Sequence, residues 1–451
     1  MTRRLTAAEL GADLRAGRRD AVDLVEETLA AIAAYPDQAI FTKLTATRAR
    51  VEARAARARL RAGLPLSPLD GVPVAWKDLF DVEGLVTTAG SKALAREAPA
   101  KRDAALIEAA GRAGLVLIGL VNMTEFAFSG IGLNPHFGTP RNPNDATVAR
   151  APGGSSSGSA VAVASGLVPL AIGTDTGGSV RVPASFNGIV GYKTSTGHFP
   201  MDGVFPLSRT LDTLGPFAHT VEDCALVDAA LRGAVAPEAR RDALSELRLI
   251  VPETVVFEGC QPAVVANFEA ALSRLAAHGA RVERRPMRQL QAVQDLVAKR
   301  GPLLSLEALH VHRERVNSPD AERMDRRVVK RIRLAQAISG VDLVDLLYQR
   351  QRLITETNAD IDDAFVVFPT TAHVAMPIAP LEADDDVFVR ENLKTLRNTA
   401  LGNFLDWCGV AIPSGVDGDG MPTSFLISAP HGRDTATLSA ALTAEPFIRP
   451  V

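Results

Sequence analysis

Cysteine is scarce in this chain of 451 residues: Cys224, Cys260 and Cys408 lie far apart and are odd in number. That excludes a disulfide framework and fits buried thiols in a reducing compartment. No CxxC pair, cysteine–histidine cluster or HExxH stretch offers metal-ligand spacing, so neither a zinc site nor metal-assisted hydrolysis is expected. Excess charge of one sign is also absent. A net charge of −3 gives no electrostatic case for nucleic acid or an anionic membrane. The opening Met1-Thr2-Arg3-Arg4 leads into an Ala/Leu pattern broken by charges, without the apolar run of a signal peptide. Residues 151–174 hold no charge over 24 positions, but Pro152, Pro169 and a Gly/Ser cluster argue against a membrane helix. A buried active-site segment accounts for them better, and a cytoplasmic protein is expected.

Lysine is scarce as well. Only eight of 49 basic residues are lysines, so arginine is this chain's ordinary cation. Arginine stays charged in proteins, whereas a buried lysine can lose its proton and act as a base. Lys77 therefore stands out. Its bland alternative is a strand-end lysine paired with Asp78 next door.

What the chain does have is apolar content of 47%, enough for a large core. The first sixty residues read as helices, with a capping box in Thr6 and Glu9 and a second helix at 48–62. Strands are expected at 71–80 and 116–121 around a helix at 103–113, the alternation of a layered α/β protein. Residues 155–164, of small side chains, read as a tightly packed helix, and 168–172 as a strand leading to Thr174–Ser179. Beyond a compositional shift at 234–246, strands are expected at 247–257 and 282–286 around a helix at 262–277. Further strands are expected at 365–368 and 424–427. Residues 288–351 read as a charge-rich helical sector. There Arg323, Arg326, Arg327, Lys330, Arg331 and Arg333 alternate with Glu314, Asp320, Glu322 and Asp325, a solvated helix face. With no repeat or linker, one domain spanning residues 1–451 is expected.

Three stretches fit together chemically: Lys77, the run Gly153-Gly154-Ser155-Ser156-Ser157-Gly158-Ser159, and Gly177-Gly178-Ser179. Serine is a weak nucleophile that needs a base, and a neutral lysine can serve. Glycines beside it leave backbone N–H groups free to meet a developing oxyanion. The glycine runs lack the Gly-Lys-Ser/Thr ending of a phosphate-binding loop. The eight histidines sit in no motif that supports a Ser-His-Asp triad. Asp175 and Arg181 read as charges that shape the reactive turn, and Cys224 as plain core.

Gly71-Val72-Pro73-Val74-Ala75-Trp76-Lys77-Asp78, the serine-rich run after Pro152, and Gly173-Thr174-Asp175-Thr176-Gly177-Gly178-Ser179-Val180-Arg181 together resemble the amidase signature family. Gly188-Ile189-Val190-Gly191-Tyr192-Lys193 and Asp212-Thr213-Leu214-Gly215-Pro216 agree with it, and a weaker match resumes at Arg397-Asn398-Thr399. The resemblance implies an α/β fold with a mixed, twisted β-sheet sandwiched between helices. It implies an amidohydrolase that cleaves a carboxylic amide to an acid plus ammonia or an amine through an acyl-enzyme, without cofactor or metal. Ser179 would be the nucleophile, Lys77 the terminal base, and Ser155 the relay, reached through a cis peptide bond to Ser156. The amides of Thr176, Gly177, Gly178 and Ser179 would form the oxyanion hole, with Thr174 and Ser157 in support. Members acting on malonamate-like acids carry arginine three residues after the nucleophile; here that residue is Val182.

A small-molecule amide is the expected partner, with no nucleic acid or membrane and a homodimer left open. Two alternatives stay within the enzyme class: the A subunit of a tRNA-dependent amidotransferase, and a urea-type hydrolase acting on allophanate- or carboxybiuret-like compounds. A scaffold without activity is disfavoured by the intact lysine and both serines.

Overall fold

The computed structural model describes residues 5–450. Its frame is a sheet of eleven strands: β1 Phe41–Leu44, β2 Pro73–Lys77, β3 Val116–Val121, β4 Leu170–Asp175, β5 Val190–Lys193, β6 Thr213–Ala218, β7 Arg248–Pro252, β8 Arg281–Arg285, β9 Phe365–Pro369, β10 Cys408–Val416 and β11 Pro422–Ala429. Their spatial order is β1-β3-β2-β4-β6-β5-β10-β11-β9-β7-β8. Strands β3, β2 and β4 run parallel, as do β9, β7 and β8; the strands between them pair antiparallel. Two parallel wings thus flank an antiparallel centre.

Both faces of this sheet are covered. Side chains alternate across a strand, so one covered face gives alternation and two give a continuous apolar run. In β9, Phe365 and Val367 join one core, while Val366 and Phe368 join the other. In β2, Val74 and Trp76 belong to the first core and Ala75 to the second. Lys77, two residues beyond Ala75, consequently leaves the sheet on Ala75's side. That side also receives Ala160 to Ala164 of the helix Ser157–Ala164, which is buried all round. Its small residues let backbones touch: a Cβ at Gly158 would lie 2.5 Å from Asn122 N and 2.7 Å from Ile40 O.

Several expected elements appear within a few residues of their predicted bounds. The Thr6–Glu9 capping box opens the helix Ala7–Arg15, β3 spans the predicted residues, and Pro262–Ala277 is a helix. The first sixty residues are not all helical, however, because β1 pairs antiparallel with β3 at the sheet's edge. The helix Arg326–Leu334 is also not a wholly solvated face. It buries Arg327, Val328, Val329 and Ile332, and Arg327 pairs internally with Asp325 at 2.7 Å. Cys224 and Cys408 are buried, whereas Cys260 is only partly so. Among the described residues no helix is long and apolar enough to cross a membrane.

Candidate active site

Lys77 ends β2 fully buried, with Nζ 2.6 Å from Ser155 Oγ and 2.8 Å from Thr174 Oγ1. Two hydroxyls, rather than a carboxylate, receive it. Asp78 faces other partners, accepting from Thr88 Oγ1 at 2.6 Å and lying 3.6 Å from Lys43 Nζ. Burial pulls the Lys77 pKa down to about 7, against the opposing pull of Asp212 and Asp175. Desolvation wins because it penalises the ammonium directly, while both acids act from beyond the contact shell. A neutral amine has a lone pair, and the Ser155 hydroxyl is placed to donate into it.

Ser155 follows a cis peptide bond, Gly154–Ser155. The family resemblance implies a cis bond one residue later, between Ser155 and Ser156, and the structure corrects that position. Ser156 Oγ donates to Thr174 O at 3.3 Å, which ties the serine loop to β4. Ser157 begins the 157–164 helix, and its hydroxyl lies 3.5 Å from Asn122 O rather than on Lys77 Nζ. Of the two supporting residues expected, the structure brings Thr174 to Lys77 and does not bring Ser157.

Strand β4 delivers the chain to the turn Thr176-Gly177-Gly178-Ser179, and the helix Arg181–Asn187 follows. Asp175 organises this turn from within. Its carboxylate accepts from the N–H groups of Gly178 (2.8 Å) and Val180 (3.1 Å), from Arg181 Nε and Nη2 (both 3.0 Å), and from Asn403 Nδ2 (2.9 Å). Burial would raise the Asp175 pKa, but Arg181, with Lys193 and Asn403 behind it, holds it well below the usual carboxylate range. Thr399 Oγ1 donates to Gly177 O at 2.7 Å, so the Gly177–Gly178 peptide is held at both its C=O and its N–H. Gly178 has φ +132, and a Cβ there would lie 2.1 Å from Thr399 Oγ1. No other residue fits. A Cβ at Gly177, by contrast, would meet nothing within 4 Å, which marks open space beside the turn.

These contacts revise the expected oxyanion hole. The Gly178 N–H is committed to Asp175. Those of Thr176, Gly177 and Ser179 reach no protein acceptor among the described residues. The hydroxyl of Thr176 donates to Asp212 Oδ1 at 2.5 Å. Burial raises the Asp212 pKa to about 6, although bonds from Thr176 and from the Leu207 and Ser208 N–H groups (both 3.0 Å) oppose the rise. Sequence motifs assign no role to Asp212, Thr399 or Asn403. Asp212 and Thr399 stand inside family-like runs, but only as flanks.

The loop 124–130 packs against the serine loop. Thr124 N–H donates to Ser155 O at 3.0 Å, and Gly154 N–H to Gly130 O at 2.7 Å. Asn392 Oδ1 accepts from Ser129 Oγ (3.0 Å) and Gly130 N–H (2.8 Å). Asn392, Thr399 and Asn403 project from one helix, Asp385–Phe404, which therefore touches both that loop and the Thr176–Ser179 turn. Among the described residues no group of three His, Cys, Asp or Glu could hold a metal ion.

Known proteins resemble this chain over nearly its whole length. A family model described as amidase matches residues 23–438. The chain is 35% identical over 449 residues to 2-amino-5-chloromuconic acid deaminase of Comamonas testosteroni, covering 98% of this chain and 96% of that one. It is 33% identical to the A subunit of glutamyl-tRNA(Gln) amidotransferase from Thermobifida fusca (strain YX), over 99% of this chain and 96% of that one. A crystal structure of an amidase superposes with a TM-score of 0.87 at 29% identity, covering 98% of this chain and 100% of the other.

Proposed function

Because this chain belongs to the amidase family and is a hydrolase acting on C–N amide bonds, we propose that it works through a Ser179–Ser155–Lys77 relay and an acyl-enzyme. Neutral Lys77 accepts the proton of Ser155, and Ser155 takes that of Ser179, whose Oγ attacks the amide carbon. The developing oxyanion is met by the N–H groups of Thr176, Gly177 and Ser179, with Gly178 shaping the turn. The proton returns through Ser155 to the leaving nitrogen, the C–N bond breaks, and ammonia or an amine departs. Water then enters, gives its proton to the same relay and attacks the ester, releasing the acid and the serine. A cytoplasmic location is supported by three free cysteines, and one domain by the single sheet that runs through both halves.

The observation that carries this reading is the 2.6 Å contact between a fully buried lysine and Ser155. The test is a fluorophosphonate probe followed by peptide mapping. The adduct is expected on Ser179, and Ser179→Ala should abolish both labelling and ammonia release. Labelling undiminished in that variant would remove the assignment.

A second reading, the ammonia-producing A subunit of an amidotransferase, is favoured by the full-length match to such a protein. Ammonia release from simple aliphatic, aromatic and urea-type amides by the purified chain alone separates the two. A chain dependent on partners would release little, and a free-standing amidase would turn over at least one of these substrates.

A further inference from the structure

The turn that carries Ser179 is anchored at all but one of its peptides. In the first, Asp175 O accepts from Thr213 Oγ1 at 2.8 Å and from Asn403 Nδ2 at 3.3 Å. The Gly177–Gly178 peptide is held by Thr399 at its C=O and by Asp175 at its N–H. In the last, Gly178 O accepts from the Val182 N–H at 2.7 Å. The peptide between Thr176 and Gly177 is the exception. Among the described residues neither its C=O nor its N–H has a partner. Yet that N–H, of Gly177, is one of the three proposed to meet the oxyanion. What restrains this peptide is the buried side chain of Thr176, whose Oγ1 lies 2.5 Å from Asp212 Oδ1.

Asp212 is itself fixed on three sides. Strand β6 runs antiparallel to β4 with Thr213 opposite Asp175, so the next residue back, Asp212, comes up against Thr176. Its second oxygen, Oδ2, accepts from the N–H groups of Leu207 and Ser208, both at 3.0 Å. That loop is clamped in turn by Glu307 of the helix Leu303–Val316, which accepts from the hydroxyls of Ser208 and Thr210, the latter at 2.6 Å. All three donors to the Asp212 carboxylate are uncharged. A buried carboxylate held by neutral donors alone is costly to keep, which points to a use beyond packing. Threonine is stiff at χ1, so holding its hydroxyl also holds its Cα and the tilt of the peptide that follows. We propose that Asp212 is a positioning residue: by gripping the Thr176 hydroxyl it aims the Gly177 N–H at the oxyanion. This rests on the serine-amidase reading above and deepens it.

The test measures kcat and KM for ammonia release, and the rate of Ser179 labelling by a fluorophosphonate, in Thr176→Val, Thr176→Ser and Asp212→Asn. The labelling rate is the deciding readout should the chain alone release no ammonia, because charge builds on the phosphoryl oxygen in the same place. Thr176→Val keeps the shape of the side chain and removes its hydroxyl. It should lower kcat and the labelling rate by about 10- to 100-fold, as for a donor displaced rather than removed, and leave KM nearly unchanged. Thr176→Ser keeps the hydroxyl and should recover most of that loss. Asp212→Asn should fall by a similar factor. The double variant with Thr176→Val should fall no further than the lower single, because both break one contact. Wild-type rates in Thr176→Val, a loss that serine does not recover, or losses that multiply in the double variant each overturn the role. If circular dichroism shows Asp212→Asn unfolded, the two Thr176 variants decide. The levels separate in the wild type: Ser179 labelled there, with Thr176→Val unimpaired, removes only the role of Asp212, whereas no labelling there removes the reading beneath it.

Discussion

At the scale of the residue, Lys77 as the proposed base must satisfy two opposed demands. It has to be buried deeply enough to lose its proton, yet it needs polar neighbours to use the resulting lone pair. Hydroxyls meet both, because they bond the amine without the charge that would hold it as ammonium. With a pKa near 7, kcat/KM should rise as pH climbs through about 7 and level off above it. Lys77→Arg should be as inactive as Lys77→Ala, since arginine keeps the charge and accepts no proton. Ammonia release by both variants across pH, with folding checked by circular dichroism, measures this; substantial turnover by the arginine variant would sink the lysine base. The same displacement acts on stability. The unfolded lysine, titrating near 10.5, holds a proton that the folded one has released between about pH 7 and 10.5. Stability should therefore increase with pH across that window, by up to about 1.4 kcal/mol per unit. Urea midpoints for Lys77→Met should lose this component of the slope.

The decisive element is β4 with its turn and short helix, pinned from a helix far along the chain. Arg181 and Asp175 form a buried pair with good geometry, and removing one partner leaves the other charge uncompensated. Arg181→Met should cost about 3–5 kcal/mol of unfolding free energy by denaturant titration. Arg181→Lys should restore little, because an ammonium cannot bond Asp175 and Asn403 through a planar fork. The Asp175 pKa is depressed in the folded state, so this stabilisation is present above its unfolded value and is lost as pH falls below it. Much of the element pattern is legible in the sequence where periodicity and caps agree, as in β2, β3 and the 262–277 helix. Strand β6 is not, because Gly215 and Pro216 read as a break. Gly215 is there because a Cβ would lie 1.9 Å from Tyr192 O in the neighbouring strand. Lys77, Ser155 and Ser179 are legible because each sits in a local motif. The grip of Thr399 and Asn403 on the turn spans more than 200 residues of chain, which no local pattern encodes.

At the scale of the whole molecule, an eleven-stranded open sheet has two edges to protect. One is β1, only four residues long; the other is β8, where four of the five residues Arg281–Arg285 are charged. Short and charged edges deter pairing between molecules. Replacing the exposed Arg281 and Glu283 together by valine should change stability little, within about 0.5 kcal/mol per site. It should nevertheless raise light scattering on warming. Unaltered scattering would mean that this edge is protected by something other than its charges.

The order of strands carries a further consequence, for how the enzyme is made. Strands β10 and β11 are synthesised last of the eleven, yet they lie in the middle of the sheet between β5 and β9. While the chain is emerging, the amino-terminal wing can assemble with Lys77, Ser155 and Ser179 already translated. Its β5 edge stays bare, and the helix that grips Gly177 and Asp175 does not yet exist. Closure of the sheet and fixing of the Thr176–Ser179 turn both wait for the final segment, so a nascent chain carries all three proposed catalytic residues without the means to set them. Arrested chains of increasing length, probed with fluorophosphonate, should remain unlabelled until β10 and the 385–404 helix are clear of the ribosome.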